Sequence, residues 1–212
     1  RYAFVSHFIG DLENQETLDS FEQAVGYYEK LFRIHPQALA CDLHPDYLAT
    51  RYAQARSQKE NLPLIQVQHH HAHLAACLAE NAWESSEPVI GLIFDGTGYG
   101  TDGSIWGGEI LVGGYLGFQR LFHLLPVRLP GGDLAVRKPA RTALSWLAAA
   151  GIFAEEYELP PVKALGKDER AVVQAQLESG FNAPLTSSMG RLFDAVASIL
   201  GLCHEISYEA QA

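Results

Sequence analysis

The sequence is poor in cysteine, and its three cysteines are widely spaced. Cys41, Cys77 and Cys203 form no Cys-x-x-Cys pair. Zinc knots and disulfide frameworks need cysteines at close, repeated spacings, so this pattern argues against either kind of scaffold. Unpaired thiols are typical of the reducing cytosol, and we expect a cytoplasmic protein.

Basic residues are scarce relative to acidic ones. The sequence has 15 Lys and Arg against 25 Asp and Glu, which gives a formal net charge of −10 at pH 7. Nucleic acids and anionic membranes attract proteins through clustered positive charge. We therefore expect no general binding to either of them. A phosphate group would have to be held locally, by backbone N–H groups or by a metal ion.

Long apolar runs are missing as well. No stretch reaches the ~20 residues that a transmembrane helix needs, although hydrophobic residues make up 48% of the sequence and can form a core. The sequence begins at Arg1 rather than at methionine, inside a segment from Tyr2 to Ile9 that is predicted to be a strand. We expect a fragment of a longer protein, in which missing targeting signals carry little weight.

What the sequence does contain is a dense histidine cluster, His69-His-His-Ala-His73. His69 and His73 are four residues apart, a spacing that places them on the same face of a helix. Two neutral imidazoles at this spacing can chelate one divalent metal ion. An exposed polar turn is the alternative. A zinc-protease helix is excluded, because that motif needs Glu directly after the first histidine and the sequence has His70 there.

The hydrophobic pattern predicts an α/β fold followed by an antiparallel meander. Strands and helices alternate before residue 88, an order typical of α/β layers. Asp42 and His44 end one of these strands near the expected cleft, where a helix cap is the simplest role. After Pro88 come a buried strand, a glycine-rich turn and two further strands, and then helices. We therefore predict two lobes, residues 1–87 and 88–212.

The last predicted helix, Met189–Leu200, carries an apolar stripe that we expect to face the core. Asp194 lies opposite this stripe, which favours a solvated position over a ligand contact. The stripe consists of Leu192, Phe193, Val196, Ile199 and Leu200.

A glycine-rich segment follows the predicted strand Val89–Phe94 and reads Asp95-Gly-Thr-Gly-Tyr-Gly-Thr-Asp-Gly103. Such segments can adopt positive φ and direct backbone N–H groups at phosphate oxygens, and Asp95 could bind a metal. A turn without a ligand is the alternative. The segment is not a dinucleotide fingerprint, because a strand rather than a helix is predicted after it. The glycines concerned are Gly96, Gly98, Gly100 and Gly103.

Several motifs, in order along nearly all of the chain, resemble the HypF family of carbamoyltransferases of nickel–iron hydrogenase maturation. The C-terminal domain of that family is similar to the TsaD/Gcp enzymes of tRNA modification. The resemblance therefore implies a two-lobed actin-like fold (ASKHA, ribonuclease H-like), here with an incomplete second lobe. The motifs are Ser6–Leu12, Cys41–Asp46, Val67–His73, Phe94–Glu109 and Leu129–Asp133, and Gly190–Gly201 resembles the nucleotide-side helix of the TsaD/Gcp group.

The resemblance also implies a metal-dependent site for ATP or carbamoyladenylate. It assigns His69, His73 and Asp95 to a divalent metal, with zinc or iron expected, and it places a further acidic ligand beyond residue 212. It assigns nucleotide contacts to the glycine-rich segment and to the last helix. These contacts are Asp95, Gly96, Thr97, Gly98, Tyr99, Gly100 and Asp194.

The implied reaction is carbamoyl transfer from carbamoyladenylate to the C-terminal cysteine of a HypE-type maturation protein, toward the cyanide ligand of the hydrogenase. In that family, upstream acylphosphatase-like, zinc-finger and YrdC-like domains make carbamoyladenylate from carbamoyl phosphate and ATP. The nucleophile then belongs to the partner. This agrees with the lack of a Ser/His/Asp or Cys/His set in the sequence.

Two other functions stay open from the residues alone. A generic actin-like small-molecule kinase or ATPase would use the same glycine-rich segment but has no need of the histidine pair. A non-catalytic metal-binding interaction module would use the histidines structurally. The roles of His70, His71, Asp133 and Glu109 are also open, with a helix cap as one alternative for Asp133 and an ion pair as one for Glu109.

Overall fold

The computed structural model describes residues 3–10, 12, 14–152, 154, 156–208 and 210–212. The chain forms two compact units, Arg1–His69 and His70–Ala212. The division falls at the start of a helix that packs on the sheet of the second unit. The predicted separation into functional lobes at residue 88 stays a prediction.

The first unit is built around two parallel strands. Its elements are α1 (Gln15–Phe32), β1 (Leu39–Asp42), α2 (Leu48–Glu60) and β2 (Leu64–Val67). Strand β1 pairs with β2 in parallel from Leu39↔Leu64 to Asp42↔Val67. Because the strands run in the same direction, the residues that follow each of them meet at one edge of the sheet.

The strand predicted from Tyr2 to Ile9 is wrong over residues 3–9, which have no regular secondary structure, and Tyr2 lies outside the described residues. Two contacts join this segment to helix α1. The ring of Phe4 stacks on Phe32 at 3.9 Å, and Tyr28 Oη donates to the carbonyl oxygen of Val5 at 3.3 Å.

The second unit opens with the predicted meander. Helix α3 (His69–Glu80) begins at the last residue of the first unit, and β3 (Val89–Tyr99), β4 (Ile105–Gly114) and β5 (Gly117–His123) follow as antiparallel neighbours. Two strands that the sequence did not indicate, β6 (Val127–Arg128) and β7 (Leu185–Thr186), are only two residues long. Strand β7 pairs in parallel with β4 and antiparallel with β6.

Five helices complete the second unit: α4 (Asp133–Arg137), α5 (Pro139–Ala149), α6 (Pro160–Ala164), α7 (Lys167–Ser179) and α8 (Met189–Ile199). The three longer ones were predicted. Asp133 does not cap a helix, because the N-cap of α4 is Gly132 and Asp133 is the first helical residue. In the described residues, no helix combines the length and the apolarity that crossing a bilayer requires.

The core beneath the meander forms where α3 packs on the sheet. Leu74 and Leu78 of this helix contact Ile93 and Leu111. Burial of one such side chain contributes about 1.5–3 kcal/mol. Gly91 allows the close approach, since a Cβ there would lie 2.7 Å from Leu74 Cδ1. This contact fixes α3, and therefore its histidines, against strand β3.

The prediction for helix α8 is wrong about which face is buried. Phe193, Val196 and Leu200 of the predicted stripe are 63%, 42% and 65% exposed. The buried face instead carries Asp194 and small residues such as Ala195. Helix α5 packs against α8, and most of the residues that it buries are small too. Small side chains let two helices approach closely, and that contact decides the orientation.

Candidate metal and nucleotide site

The histidine cluster lies at the start of helix α3, one residue after strand β2. That strand ends at Val67, and the helix begins at His69. The predicted helix is therefore confirmed, and it includes the cluster itself. His69 is half-buried and His73 is exposed, and their spacing places both on one face of the helix.

The side chain of Asp42 holds the ring of His69. Asp42 is the last residue of β1, and its Oδ2 lies 2.7 Å from His69 Nδ1. Its other oxygen, Oδ1, accepts a hydrogen bond from the backbone N–H of His44 at 2.8 Å. The helix-cap role suggested for Asp42 and His44 is wrong. The N-cap of α2 is Tyr47, and no side-chain hydrogen bond caps this end of the helix.

The structure brings together the three residues predicted as metal ligands. His69, His73 and Asp95 each offer one ligand atom, and these atoms lie within 4.8 Å of one another. Two imidazoles and a carboxylate form a donor set that suits zinc and other divalent first-row metals. Asp95 Oδ1 also accepts a hydrogen bond from the N–H of Gly96 at 2.6 Å, which restrains the side chain. The residues fit a metal ion, and its binding stays a prediction.

His70 lies in the core, beneath strand β3. Its side chain is fully buried, and its Nε2 lies 3.5 Å from Asp95 Oδ2. The ring contacts Trp106 with 5.9 Å between centroids. The second of the four histidines therefore supports the aspartate of the site from behind and does not face solvent.

His71 has a structural role on the other side of the helix. Its Nε2 lies 2.8 Å from the carbonyl oxygen of Gly114, at the end of β4. Its ring packs on Phe118 with 5.0 Å between centroids. These contacts tie α3 to the β4–β5 hairpin.

Most of the glycine-rich segment is strand and not loop. Strand β3 continues to Tyr99, and its pairing with β4 shifts register between Phe94 and Gly98. Residues 95–97 thus form a bulge that includes Asp95, and the turn lies at residues 100–104. The expectation of positive φ is wrong for Gly96, Gly98 and Gly100, and it is right for Gly103, with φ 78°.

Tight packing explains two of these glycines. A Cβ at Gly98 would overlap Cε1 of His70, and a Cβ at Gly100 would overlap Nε1 of Trp106. The neighbouring Thr97 is exposed and Tyr99 is half-buried. Of the residues predicted to contact nucleotide, Gly98 and Gly100 are therefore needed for the structure of the hairpin whether or not a phosphate binds.

The N-terminus of helix α8 is attached to the bulge through Ser188. Its Oγ lies 3.0 Å from the carbonyl oxygen of Asp95 and 2.6 Å from that of Gly96. The same oxygen, as the N-cap, accepts a hydrogen bond from Arg191 N–H at 3.1 Å. Gly190 permits this approach, because a Cβ there would lie 2.9 Å from Gly96 Cα. The Ser188 hydroxyl thus connects the N-cap of helix α8 to strand β3, which carries the proposed metal ligand Asp95.

A buried ion pair lies under the hairpin. Arg120 Nε donates to Glu109 Oε2 at 2.6 Å, and the Glu109 side chain is fully buried. Ser187 Oγ donates to Glu109 Oε1 at 2.5 Å. Burial by itself raises the pKa of the Glu109 carboxyl, but its hydrogen bonds and the charge of Arg120 outweigh burial and lower that pKa. The ion pair considered for Glu109 from the sequence is therefore observed.

Arg120 also holds the turn of the hairpin. Its guanidinium lies 4.0 Å above the ring of Trp106 and donates to Asp102 Oδ2 at 3.0 Å. Asp102 Oδ1 accepts from Trp106 Nε1 at 2.9 Å. Burial raises the pKa of Asp102, but bonds from Ser104 and Trp106 and the charge of Arg120 lower it overall to about 2. The turn is therefore anchored to the sheet by charge.

Asp194 is buried, contrary to the prediction of a solvated position. Only 4% of the residue is exposed, and its Oδ2 lies 2.7 Å from Arg191 Nε. Burial raises its pKa above the ordinary value, against the opposing charge of Arg191. The pair lies on the face of α8 that is turned into the protein.

Two family models together match most of the chain. Residues 1–80 match the HypF Kae1-like domain, and residues 91–212 match the second subdomain of the Kae1-like carbamoyltransferase domain. The chain belongs to the HypF family. Its mixed α/β fold is the Kae1-like one, and the resemblance suggested by the sequence motifs is confirmed.

Named relatives of this HypF-family chain agree. It is 47% identical to carbamoyltransferase HypF of Rhodobacter capsulatus, over 99% of this chain and 28% of that protein. It is 45% identical to carbamoyltransferase HypF2 of Cupriavidus necator, over 99% of this chain and 25% of that protein. The chain thus spans about a quarter of the length of these relatives.

Two solved structures have the same fold. Full-length HypF in a phosphate- and nucleotide-bound form matches with a TM-score of 0.90 and 43% identity, over 99% of this chain and 27% of that one. HypF of T. kodakarensis matches with a TM-score of 0.86 and 36% identity, over 97% of this chain and 28% of that one.

Arg120 and Ser188 were missed from the sequence as residues that hold the site. Arg120 lies alone in a predicted strand, and the signal available was its pairing potential with Glu109 on the preceding strand. Ser188 directly precedes the predicted helix Met189–Leu200, a position that favours an N-cap serine. Neither signal shows that both side chains reach the same hairpin.

Proposed function

We propose that this chain is the carbamoyl-transfer domain of a HypF-type protein, with an actin-like fold whose second lobe is completed by sequence outside the chain. Its named relatives are carbamoyltransferases, 47% identical in one case, and each is about four times as long. We also propose that it acts in the cytoplasm, where a reducing environment keeps its three free cysteines reduced.

The observation that carries this proposal is the meeting of His69, His73 and Asp95 within 4.8 Å. An actin-like kinase or ATPase has no need of an imidazole pair at this place. Structural zinc sites are built mainly with cysteine, whereas two histidines and a carboxylate are a donor set found in catalytic zinc sites. His73 is exposed, which is consistent with an accessible site.

A bound divalent metal, zinc or iron in this proposal, would supply a Lewis acid and a template for the phosphate of carbamoyladenylate. His69 and His73 would hold it from helix α3, and Asp95 from strand β3. A further acidic ligand would come from sequence beyond residue 212. His70, behind Asp95, would keep that carboxylate directed toward the histidines.

The nucleotide contacts are proposed on the bulge of β3. One solved HypF holds phosphate and nucleotide, which supports a nucleotide site in the family. Within this chain Thr97 is exposed, so its hydroxyl is best placed for direct contact, together with the backbone of Asp95–Gly100. The N–H of Gly96 already donates to Asp95 Oδ1. Asp194 would act through its buried pair with Arg191, by holding α8 against the bulge.

The reaction needs a nucleophile from outside the chain. In the proposed step, the thiolate of the C-terminal cysteine of a HypE-type partner attacks the carbamoyl carbon of carbamoyladenylate. A C–S bond forms, the C–O bond to the phosphate breaks, and AMP leaves with the electron pair after the thiol proton has been lost to solvent. The product is a thiocarboxamide, from which the cyanide ligand would be made. Upstream domains would supply carbamoyladenylate from carbamoyl phosphate and ATP.

Transfer by the full-length protein to a HypE-type partner tests the proposal. We expect the wild-type protein to add one carbamoyl group to the terminal cysteine, which mass spectrometry detects. The transfer rate should fall at least ~100-fold, as it does when a metal site is lost, in each of the variants His69→Ala, His73→Ala and Asp95→Ala. His123→Ala is the matched control, because His123 is exposed on β5.

Three results would contradict the proposal. Full activity in all three ligand variants would remove the metal from the reaction. A phosphorylated small-molecule product would identify a kinase. Failure of the full-length protein to bind ATP would favour a non-catalytic module.

A further inference from the structure

Asp42 and His69 form a carboxylate–imidazole pair directly behind the proposed metal ligands. Asp42 Oδ2 lies 2.7 Å from His69 Nδ1, and the two side chains are only 20% and 28% exposed. The pair is half-buried, and its distance is that of a hydrogen bond between a ring nitrogen and a carboxylate oxygen.

The fold fixes the position of Asp42 independently of the histidine. Asp42 pairs with Val67 in the parallel β1–β2 register, and its carbonyl oxygen accepts from Thr50 Oγ1 at 3.2 Å. Its Oδ1 accepts from the backbone N–H of His44. With one oxygen held by the backbone, the other is directed at the imidazole, two residues beyond the end of β2.

The chemistry of the pair selects one tautomer of His69. An ionised carboxylate can only accept hydrogen bonds, so Nδ1 must carry the proton in this contact. In a neutral imidazole, Nε2 then keeps its lone pair. We propose that Asp42 is a positioning residue for the metal: it sets the ring orientation and the tautomer of His69 so that Nε2 is the ligating atom. This inference rests on the proposed function.

Carboxylates behind metal-bound histidines also raise the basicity of the ligand, and their loss weakens metal binding by about 10–100-fold. Asp42→Asn is the most informative change. It keeps the size of the side chain and one carbonyl oxygen for His44 N–H. Its amide nitrogen, however, would donate to His69 Nδ1 and favour the proton on Nε2, where it blocks ligation.

The test first fills the upstream zinc-finger sites of the full-length protein with zinc. It then measures the affinity of this protein for further Zn²⁺ by competition with a chromophoric chelator that is too weak to remove zinc from the fingers. We expect about a 100-fold loss for Asp42→Asn and about a 10-fold loss for Asp42→Ala, because alanine leaves His69 able to adopt either tautomer. A purely structural role would give the opposite order, since alanine removes more contacts than asparagine. Asp46→Asn is the control: Asp46 pairs with Arg51 at the surface, where its side chain is 71% exposed. It should bind Zn²⁺ like wild type.

The outcomes separate this inference from the proposed function. If His69→Ala weakens Zn²⁺ binding but Asp42→Asn does not, Asp42 has no positioning role and the metal site stands. An alanine variant that binds more weakly than the asparagine variant would also overturn the inference. If His69→Ala and wild type bind Zn²⁺ equally, the metal site fails and the inference fails with it. Melting curves of the metal-free variants check that each one is folded.

Discussion

Removing the charge of Arg120 should destabilise the hairpin that carries Asp95. In Arg120→Met the apolar stem can still pack on Trp106, but the fully buried side chain of Glu109 loses its ion pair with Arg120. Breaking a buried pair from one side costs about 3–5 kcal/mol, because a charge stays buried without compensation. We therefore expect a loss of this size in the free energy of local opening of β3–β4.

Hydrogen exchange is the suitable assay, because it reports local opening free energies in a protein of several domains. Amides of β4 should exchange roughly 150- to 4,000-fold faster in Arg120→Met, because about 1.4 kcal/mol is a factor of ten and the expected loss is about 3–5 kcal/mol. Arg51→Met is the control. Arg51 and Asp46 are 60% and 71% exposed, and an exposed pair contributes at most about 1 kcal/mol.

A double variant tests the assigned cause. Adding Glu109→Gln to Arg120→Met removes the uncompensated charge and should restore part of the protection. If Arg120→Met exchanges like wild type, the buried ion pair does not stabilise the hairpin. If adding Glu109→Gln makes exchange faster still, the uncompensated charge is not the cause of the loss. Strain or lost packing around residue 120 would then explain the faster exchange better than the buried charge.

The pH dependence of the wild-type hairpin follows from the same pair. The pKa of Glu109 in the folded protein lies below its ordinary value of 4.5. A group with a lowered folded pKa contributes its full stabilisation above its unfolded pKa and loses it as the pH falls through the folded pKa. Protection of β4 amides should therefore be constant above pH 4.5 and should decrease below it. An increase on acidification would contradict the assignment.

Two further variants test the packing of the site. Gly98→Ala places a Cβ against His70 and should lower the free energy of unfolding, measured by thermal unfolding, by about 1–3 kcal/mol. The control Gly26→Ala, in open space on helix α1, should raise it by up to about 1 kcal/mol. A Gly98→Ala variant as stable as wild type would refute the packing role. Ser188→Ala should cost about 1 kcal/mol as a lost N-cap and should speed amide exchange in the β3 bulge as well as in α8. An effect confined to the helix would show that the hydroxyl does not hold the strand.

Local spacing made it predictable that His69 and His73 lie on one face of a helix, because this depends only on helix geometry. The support behind them did not follow from sequence, since Asp42 is 27 residues from His69 and meets it only through the parallel pairing of β1 and β2. The contact of His70 with Asp95 likewise depends on how α3 packs on β3.

The glycine-rich segment shows a second limit. Its composition indicated a glycine-rich turn with positive φ. The lack of side chains at Gly98 and Gly100 is explained instead by their neighbours, which come from a helix and from the facing strand. Helix α8 shows a third limit. Its apolar stripe was identified correctly, but hydrophobicity does not tell which face meets α5, and small residues such as Ala195 decided that contact.

X-ray absorption at the iron edge can show whether His69, His73 and Asp95 bind a metal used in carbamoyl transfer. The sample is full-length protein that holds zinc in its upstream zinc fingers and is loaded with one equivalent of Fe²⁺. We expect two imidazole nitrogens and carboxylate oxygen around the iron in wild type, and the loss of one imidazole in His73→Ala. Sulfur ligands around the iron, or the same coordination shell in His73→Ala as in wild type, would rule this site out.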